Sequence, residues 1–364
     1  VVGQHKVQRR NHLAWELFKQ RIQDEMRIHG KHSDRVTDKF VDFLREKPKY
    51  LNCSIKICTS ITHDEKVWGD THYAAGLKSA LEAIEYKVRI DNHEEWYNDN
   101  AYDIVIHLFG LHKYKPNPKH INILWIISHV DLINREFLIG FDYIFCASEK
   151  VTKKVSDLVP QIKVQTLPQC TNTGTFYPQD NVQKDLDIVF VGNSRRIYRK
   201  AVKYCIENGF DISIWGRKWE QFVDKKYIKG QSLSSNEVAN IYRRAKIVLN
   251  DHWDDQVEAE LVNNRIFDVL ACNTLVISDF NAGISKVLEN EKLPMFSNSE
   301  EFKNLVIFFL ENEDRREKLA KSLGESTREH HTFTKRVQAI HESIIYIIEN
   351  YVNYKSEKLY ALRK

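Results

Sequence analysis

Polar side chains suited to ligand binding cluster where one predicted strand ends. The apolar run 247–249 predicts a buried strand, and Asn250, Asp251 and His252 follow it directly. A second apolar run, 275–278, predicts the next strand after an intervening helix. In parallel α/β sheets the carboxyl ends of the strands lie at one edge, and ligands bind there. We therefore expect Asn250, Asp251 and His252 to face a ligand.

The intervening helix is predicted to carry a cation and two carboxylates. Glu260 and Asp268 stand eight residues apart, which places them about 80° apart around a helix of about 3.6 residues per turn. Arg265 lies three residues before Asp268, on the neighbouring face. A guanidinium beside a carboxylate suits a ligand that has both a phosphate and a hydroxylated sugar. This segment therefore predicts a nucleotide-sugar site.

Arginines follow another predicted strand end. The run 186–191 predicts a strand ending at Gly192, and Asn193, Arg195 and Arg199 lead from it into a predicted helix. Glycine lets a ligand approach the backbone, and the free N–H groups of a helix N-terminus attract anions. At a spacing of four residues, Arg195 and Arg199 are predicted to share a helix face and to clamp a diphosphate. The sequence has no G-x-G-x-x-G run, which argues against a dinucleotide-dependent dehydrogenase.

Two further strand ends supply candidate residues. Trp215 and Arg217 end the next predicted strand; Trp215 can wall a base pocket or pack in the core, and Arg217 can meet phosphate. In the first half of the chain, His129 and Asp131 follow the apolar run 123–127. A histidine at a strand end can deprotonate an acceptor hydroxyl, and Asp131 can orient His129 or serve as the base itself. A histidine that only bonds the backbone is the structural alternative.

The elements that must position these residues divide the chain into five parts. Residues 1–50 predict a basic helical arm, residues 51–170 a parallel-sheet domain, residues 171–184 a polar linker, residues 185–330 a second such domain, and residues 331–364 a helix that packs back toward the first domain. The predicted fold class is α/β, with two doubly wound Rossmann-like domains, an added N-terminal helical segment and C-terminal helices. We expect the active site in the cleft between the domains.

Composition and charge narrow the class of protein. Of the 364 residues 42% are hydrophobic, enough to bury a substantial core. The first 50 residues hold twelve Lys/Arg and seven Asp/Glu. This basic arm suits an acidic lipid surface, a polyanionic glycan or a neighbouring domain, with a solvated helix face as the alternative. The nearly neutral remainder argues against nucleic-acid binding.

Cysteine usage and the chain start suggest where the protein works. Six cysteines without a C-x-x-C pair fit a reduced protein, so we expect a cytoplasmic location with peripheral contact at the inner membrane face. No apolar run approaches 18 residues, and no signal peptide is predicted. Because the sequence opens VVGQHKVQRR, we expect further domains in a longer polypeptide.

Residues 246–279 resemble the carboxyl-terminal half of GT-B glycosyltransferases, particularly the group related to the spore-maturation protein CgeB, in which a run like KIVLNDHW…NRIFD recurs. More loosely, Glu260 and Asp268 resemble the E-x7-E element of retaining glycosyltransferases, with Asp in the second place. This resemblance implies that Glu260 lies near the donor sugar and Asp268 on the ribose. Asn273 stands where a glycine usually follows the run LAC. The resemblance is firm over about 185–340 and weaker over 51–167.

The resemblance also implies roles for residues of the first half. Gly69, Asp70 and His72 lie in a loop that resembles the GT-B loop reaching the reaction centre. These three residues are therefore expected on the acceptor side, with His72 as a second candidate base. His129 stands in a run similar to the SHPD of CgeB-like chains, with Val130 in place of the proline.

The motifs together predict a glycosyltransferase. It would move a sugar from a nucleotide-sugar donor to a glycan or lipid-linked acceptor, in bacterial surface polysaccharide or glycoconjugate synthesis. Asp185-Leu186-Asp187 matches a D-x-D metal motif, but it opens a strand at the opposite end of the sheet. We expect arginines and a helix end to replace a metal, so that neither metal nor cofactor is needed.

Three questions stay open at this point. The Glu260–Asp268 spacing favours retention of the anomeric configuration, whereas a His129 base favours inversion. A nucleotide-sugar epimerase shares the two-domain architecture, and it would isomerise the donor without a glycan product. A non-catalytic nucleotide-binding subunit of a larger assembly is the third hypothesis.

Overall fold

The structure is a computed structural model. It describes residues 20, 41–42, 45–46, 48–61, 69–98, 102–288 and 292–361, with backbone alone for 351–361. The helices predicted for the basic arm fall almost entirely outside these residues.

Six short apolar runs form the first sheet: β1 Asn52–Lys56, β2 Lys87–Asp91, β3 Ile104–Phe109, β4 Ile121–Ile126, β5 Tyr143–Cys146 and β6 Lys163–Thr166. The strands are all parallel and lie in the order β2-β1-β3-β4-β5-β6. Every residue of β3 and β4 is buried, because helices and loops cover both faces of a central parallel strand. The helices of this half are α1 Gly69–Ala83, α2 Arg135–Leu138 and α3 Glu149–Leu158.

The second sheet also has six parallel strands: β7 Leu186–Val191, β8 Ser213–Trp215, β9 Ile228–Gly230, β10 Ala245–Asn250, β11 Leu275–Asp279 and β12 Met295–Phe296. Their order is β12-β11-β10-β7-β8-β9. The helices between and after them are α4 Lys200–Glu207, α5 Ser235–Arg244, α6 Asp254–Glu258, α7 Asn264–Ala271, α8 Ala282–Val287, α9 Ser299–Glu311 and α10 Glu313–His330. Short 3-10 helices lie at Pro48–Tyr50, His93–Glu95, Val130–Leu132 and Lys225–Tyr227.

The last helix, α11 Phe333–Ala361, returns to the first domain. Its residues Val337, Ile340 and Ile344 are buried in the same core as the strands of the first sheet. Phe333 lies so close to Gly76 of α1 that a Cβ atom added there would overlap its ring. The absence of a side chain at Gly76 therefore allows α11 to pack closely on α1.

The predicted fold class is confirmed by the two parallel sheets with flanking helices and a helical C-terminus. No strand was predicted at the position of β12, because a strand of two residues, Met295–Phe296, has no readable alternation. The cores of the two sheets are separate, and Ala259 and Leu261 from the second half join the core of the first.

Two local helix predictions are wrong. Glu260 and Asp268 do not share a helix, because α6 ends at Glu258, Glu260 has a left-handed φ of 55°, and α7 begins at Asn264. Arg195 and Arg199 do not share a helix face either: Arg195 has a φ of 60°, and Arg199 is the residue that precedes α4. A left-handed residue breaks the 3.6-residue period, so sequence spacing no longer reports direction.

We predict that Gly76→Ala destabilises the protein through the α1–α11 contact. Overpacking costs about 1–3 kcal/mol, while replacing a helical glycine by alanine returns about 1 kcal/mol. The expected net loss is about 1 kcal/mol in the free energy of unfolding, measured by urea denaturation. In Gly76→Ala/Phe333→Leu the smaller side chain relieves the overlap, so the double variant should lose less than the sum of the single losses. Additive losses would contradict this contact.

Candidate functional site

A cavity of about 240 Å³ lies between the two domains. The first domain contributes Gly69, His72 and Cys170, and the linker contributes Asn172. The second domain contributes residues from the carboxyl ends of its strands and from α5 and α7: Gly192, Asn193, Trp215, Gly216, Gln231, Ser232, Ser235, Tyr242, Asn264, Arg265 and Asp268. Cleft sites at the carboxyl edges of parallel strands are the expected ligand positions of this architecture.

Two glycines bring bare backbone to the cavity. Gly216 has a φ of 152°, and a Cβ atom there would collide with the carbonyl oxygen of Gly192. The same oxygen accepts a hydrogen bond from Trp219 Nε1 at 2.8 Å, and Asn193 Oδ1 accepts one from the Arg217 backbone N–H at 2.8 Å. The loops after β7 and β8 are therefore locked together. Glycine at both positions leaves room for a ligand to reach the chain.

Trp215 and Arg217 take different positions. Trp215 lines the cavity and is half-buried, which leaves both predicted roles, base contact and packing, compatible with its position. Arg217 does not line the cavity itself, but its Nη2 donates to Ser232 Oγ at 2.9 Å. Ser232 itself lines the cavity, so Arg217 braces that wall.

Arg265 is the guanidinium aimed at the glycine loop. Its Nη1 donates to Asn250 Oδ1 at 2.8 Å, and its Nη2 would lie 2.7 Å from a Cβ atom built on Gly192. Asn250 is wholly buried and donates to Ser278 Oγ at 2.9 Å. Asn250 therefore orients Arg265 from the protein interior and holds its guanidinium at the cavity wall.

Arg199 has a different environment from Arg265. It is buried and forms an ion pair with Asp251, and its Nη2 also donates to the Asp251 carbonyl at 3.0 Å. A buried pair of this kind already balances the charge of both partners. Arg199 and Asp251 therefore hold the loops after β7 and β10 together.

His252 has a similar bracing role. Its side chain is wholly buried, and its Nδ1 lies 2.7 Å from Asp279 Oδ1. The His252 backbone N–H donates to Asp279 Oδ2 at 2.9 Å, and the Asn263 N–H points at its Nε2 at 3.4 Å. These contacts join the loop after β10 to the start of α7, so His252 is placed behind the cavity wall.

Arg195 completes an uneven charge distribution. It is exposed to the cleft, and its guanidinium lies 4.7 Å from the Trp253 ring centroid. The pKa of Arg195 is lowered to about 9, mainly because the surrounding protein partly removes it from water and also because Arg199 and Arg265 repel its charge. Asp251 is the acid paired with Arg199. Among the described residues neither Arg195 nor Arg265 forms an ion pair, so both guanidiniums remain able to pair with a bound anion.

Asp268 is the buried carboxylate of the cavity. Its Oδ1 accepts from Thr171 Oγ1 at 2.7 Å, and its Oδ2 accepts from Asn264 Nδ2 at 3.0 Å. Burial raises the pKa of Asp268 to about 7, against the opposing effects of these two hydrogen bonds and of Arg265. Carboxylates that accept hydrogen bonds on both oxygens are held in one orientation, here beside Arg265.

Glu260 lies away from Asp268. Its Oε2 accepts from Lys286 Nζ at 2.6 Å, and its backbone oxygen packs against Gly283. The neighbouring Ala259 carbonyl accepts from Ser148 Oγ of the first domain at 2.6 Å. Among the described residues, Glu260 is not part of the cavity wall, so its predicted contact with a donor sugar would require Lys286 to release it.

The acceptor-side candidates lie at the carboxyl edge of the first sheet. His129 has a left-handed φ of 53°, and its Nδ1 lies 2.9 Å from Ser128 Oγ. Burial raises the pKa of Asp70, and the opposing effects come from His129 and Arg195. Asp70 is therefore close enough to His129 and to Arg195 for both charges to act on it. Asp131, which was predicted to orient His129, is exposed in a short 3-10 helix.

His72 makes a direct contact between the domains. Its Nδ1 lies 3.0 Å from Ser235 Oγ at the start of α5. Both residues line the cavity. The acceptor-side loop therefore touches the donor-side domain.

No group of three His, Cys, Asp or Glu side chains suited to a metal ion occurs in the described part of the chain. The acids of the D-x-D match are paired with cations: Asp185 with Arg244 at 2.6 Å and Asp187 with Lys246 at 2.6 Å. None of the described helices has the length and apolarity needed to cross a membrane. Metal independence, cytoplasmic location and contact with a membrane face stay predictions.

Several cavity residues were missed at the sequence level. Asn172 and Thr171, which bonds the cavity residue Asp268, fall in the predicted linker, and neither Ser235 nor Asn264 was predicted as a site residue. The available signal was weak: a run of Thr and Asn with little periodicity, and a Ser-Ser-Asn-Glu helix start. Their roles depend on contacts between segments far apart in sequence.

Comparison with known proteins supports the architecture. Residues 195–342 match a family described as glycosyl transferase-like, and none of the curated proteins matches the chain. Similar solved structures include the T4 phage protein BGT with its UDP-glucose substrate (14% identity, TM-score 0.57, 82% of this chain and 99% of that one). HepE of Anabaena with UDP and glucose (8%, 0.56, 81% and 99%) and sucrose-phosphate synthase of Thermosynechococcus elongatus (13%, 0.53, 86% and 100%) have the same arrangement.

Identities this low establish the fold and not the substrate. The narrower resemblance to the CgeB-related group stays a prediction. The chain has the GT-B fold, and its second half carries the sequence pattern of the glycosyl transferase-like family.

Proposed function

We propose that this protein is a glycosyltransferase that moves a sugar from a nucleotide-sugar donor to an acceptor hydroxyl. The observation that carries the proposal is the Arg265 guanidinium beside Gly192 in the cavity between the domains, with Arg195 close enough to repel it. Asp268 lies in the same cavity. Cations and a carboxylate side by side match the diphosphate and the ribose hydroxyls of such a donor.

Each part of the donor has a counterpart in the second domain. Arg265, Arg195 and the backbone at Gly192 would bind the diphosphate, and Asp268 would accept hydrogen bonds from the ribose hydroxyls. Trp215 would wall the base. Support comes from the named ligands of two structures with this fold, UDP-glucose in BGT and UDP with glucose in HepE.

The leaving diphosphate gains negative charge as the glycosidic bond breaks. Fixed cations in a site closed to water stabilise such charge strongly, because they need no reorganisation during the reaction. Arg265 is held by Asn250 and Arg195 by the Trp253 ring, so both are oriented before the donor arrives. We propose that these two side chains stabilise the charge on the leaving diphosphate without a metal ion.

The acceptor would enter from the first domain. Its hydroxyl must lose a proton as it attacks, and His129 and Asp70 are the groups at that edge able to take one. The raised pKa of Asp70, caused by burial, makes it a better proton acceptor than a solvated aspartate. The acceptor class, a glycan or a lipid-linked saccharide, stays a prediction, as does retention or inversion.

We predict selective nucleotide binding in a thermal-shift screen of UDP, GDP, dTDP, ADP and CMP. The wild type should be stabilised by one of them, and Arg265→Gln should weaken that binding at least about tenfold, the usual scale for a charge-assisted hydrogen bond. Arg315→Gln, the same change at an exposed site on α10, should bind like the wild type. EDTA should leave the shift unchanged. Equal binding by both variants would sink the proposed donor site.

We predict that Asp70→Asn and His129→Gln each lower the turnover by about 100-fold or more while nucleotide binding is retained, the scale of general base catalysis. Asp131→Asn, at the exposed neighbouring acid, should stay within about threefold of the wild type. Turnover would be followed with the donor identified by the screen, by mass spectrometry of glycosylated acceptors and of the donor. An isomerised donor without a glycosylated product would identify an epimerase instead.

A further inference from the structure

The two crossings between the domains meet at Thr171. The segment that follows β6 runs beside the segment that precedes α11, and a bridge pairs Thr171 with Thr332. The Thr171 N–H donates to the His331 carbonyl at 3.0 Å, and the Phe333 N–H donates to the Thr171 carbonyl at 3.2 Å. Both backbone polar groups of Thr171 are therefore used to hold the crossings together.

The Thr171 side chain serves the cavity instead. Its hydroxyl donates to Asp268 Oδ1 at 2.7 Å, and both residues are buried. Cys170 and Asn172, the residues on either side, line the cavity. Thr171 thus bonds the Asp268 carboxylate through its side chain, and through its backbone it joins the two segments that cross between the domains.

Arg336 fixes the same crossing from its other side. Its guanidinium is buried and donates to the carbonyls of Pro168 at 2.7 Å, Gln169 at 3.0 Å and His330 at 3.1 Å. These carbonyls belong to both crossing segments. The position of Thr171 is therefore set by the protein before any ligand is bound.

We propose that Thr171 is a positioning residue for nucleotide binding, which holds the Asp268 carboxylate ionised and oriented toward the donor ribose and ties it to the crossing of the two domains. The inference rests on the proposed function, since it assigns the ribose to Asp268. It adds a residue from the linker, far from the strand ends that carry the rest of the site.

The groups around Asp268 decide how its charge responds to pH. Arg265 on α7 is the nearby cation, and it favours the ionised form. Tyr242 on α5 and the flanking Cys170 and Cys272 also face it, and burial raises the pKa of each, so these three stay neutral near pH 7. The charge state near pH 7 is therefore set by burial, Arg265 and the two hydrogen bonds.

The sign of the pH dependence follows from the ionised form being the better acceptor for two ribose hydroxyls. With the pKa of Asp268 at about 7, the affinity for nucleotide should fall as the pH falls through that value. Removing the Thr171 hydroxyl takes away a hydrogen bond to the charged form, which raises the pKa. The fall in affinity should then begin at a higher pH.

The test measures UDP binding by isothermal titration calorimetry from pH 5.5 to 9. Thr171→Val keeps the shape of the side chain and removes the hydroxyl, and Thr171→Ser keeps the hydroxyl. The matched control is Thr327→Val, since Thr327 is also wholly buried and its hydroxyl has no hydrogen-bond partner among the residues that the structure describes. Where Thr171→Val does not fold, Thr171→Ala removes the same hydroxyl with less bulk.

We expect the midpoint of the pH profile in Thr171→Val to move up by about one pH unit, with a loss of about fivefold in affinity at pH 7 that shrinks by pH 9. Thr171→Ser and Thr327→Val should keep the wild-type midpoint. A uniform loss at every pH, or an unmoved midpoint in Thr171→Val, would overturn the inference while the proposed function stands. If the wild type binds none of the five nucleotides at any pH, the proposed function fails first.

Discussion

A cluster of three guanidiniums at the edge of the second sheet is the constraint that the rest of the cleft accommodates. Arg199 and Arg265 both lie against the Phe190 ring, and Asp251 pairs with Arg199, the most buried of the three. Arg195 is repelled by both, and among the described residues neither Arg195 nor Arg265 forms an ion pair. Repulsion between these guanidiniums costs stability when no anion is bound. A bound diphosphate would reduce that cost.

The domains keep this charged edge enclosed through a few specific contacts. Ser148 bonds the Ala259 carbonyl, His72 meets Ser235, and the crossing segments meet at Thr171. Each contact lies beside a residue of the cavity wall or in the loop that leads to it. The orientation of the domains and the shape of the site thus depend on the same residues. For this reason the linker residue Thr171 contacts the cavity residue Asp268 in addition to connecting the domains.

Buried polar residues behind the wall explain why the cavity keeps its shape. Asn250 holds Arg265, Asp251 holds Arg199, and His252 is bonded to Asp279. All three follow the same strand end, and all were predicted to meet the ligand directly. None of the three is among the described residues that line the cavity, and their hydrogen bonds in a low-dielectric interior fix the side chains that do reach it. Their direct contact with a ligand stays a prediction.

Local sequence determined the strands and the places where they end, because burial on both faces demands continuous apolar runs and parallel pairing brings their carboxyl ends to one edge. That was enough to predict two sheets, a cleft, and Gly192, Arg265 and Asp268 beside it. Only the tertiary structure decided which arginine is neutralised, since Arg199 and Asp251 lie far apart in sequence. It also separated Glu260 from Asp268, through a left-handed residue that spacing does not reveal, and brought Thr171 to Asp268, because a linker's contacts depend on where both domains come to rest.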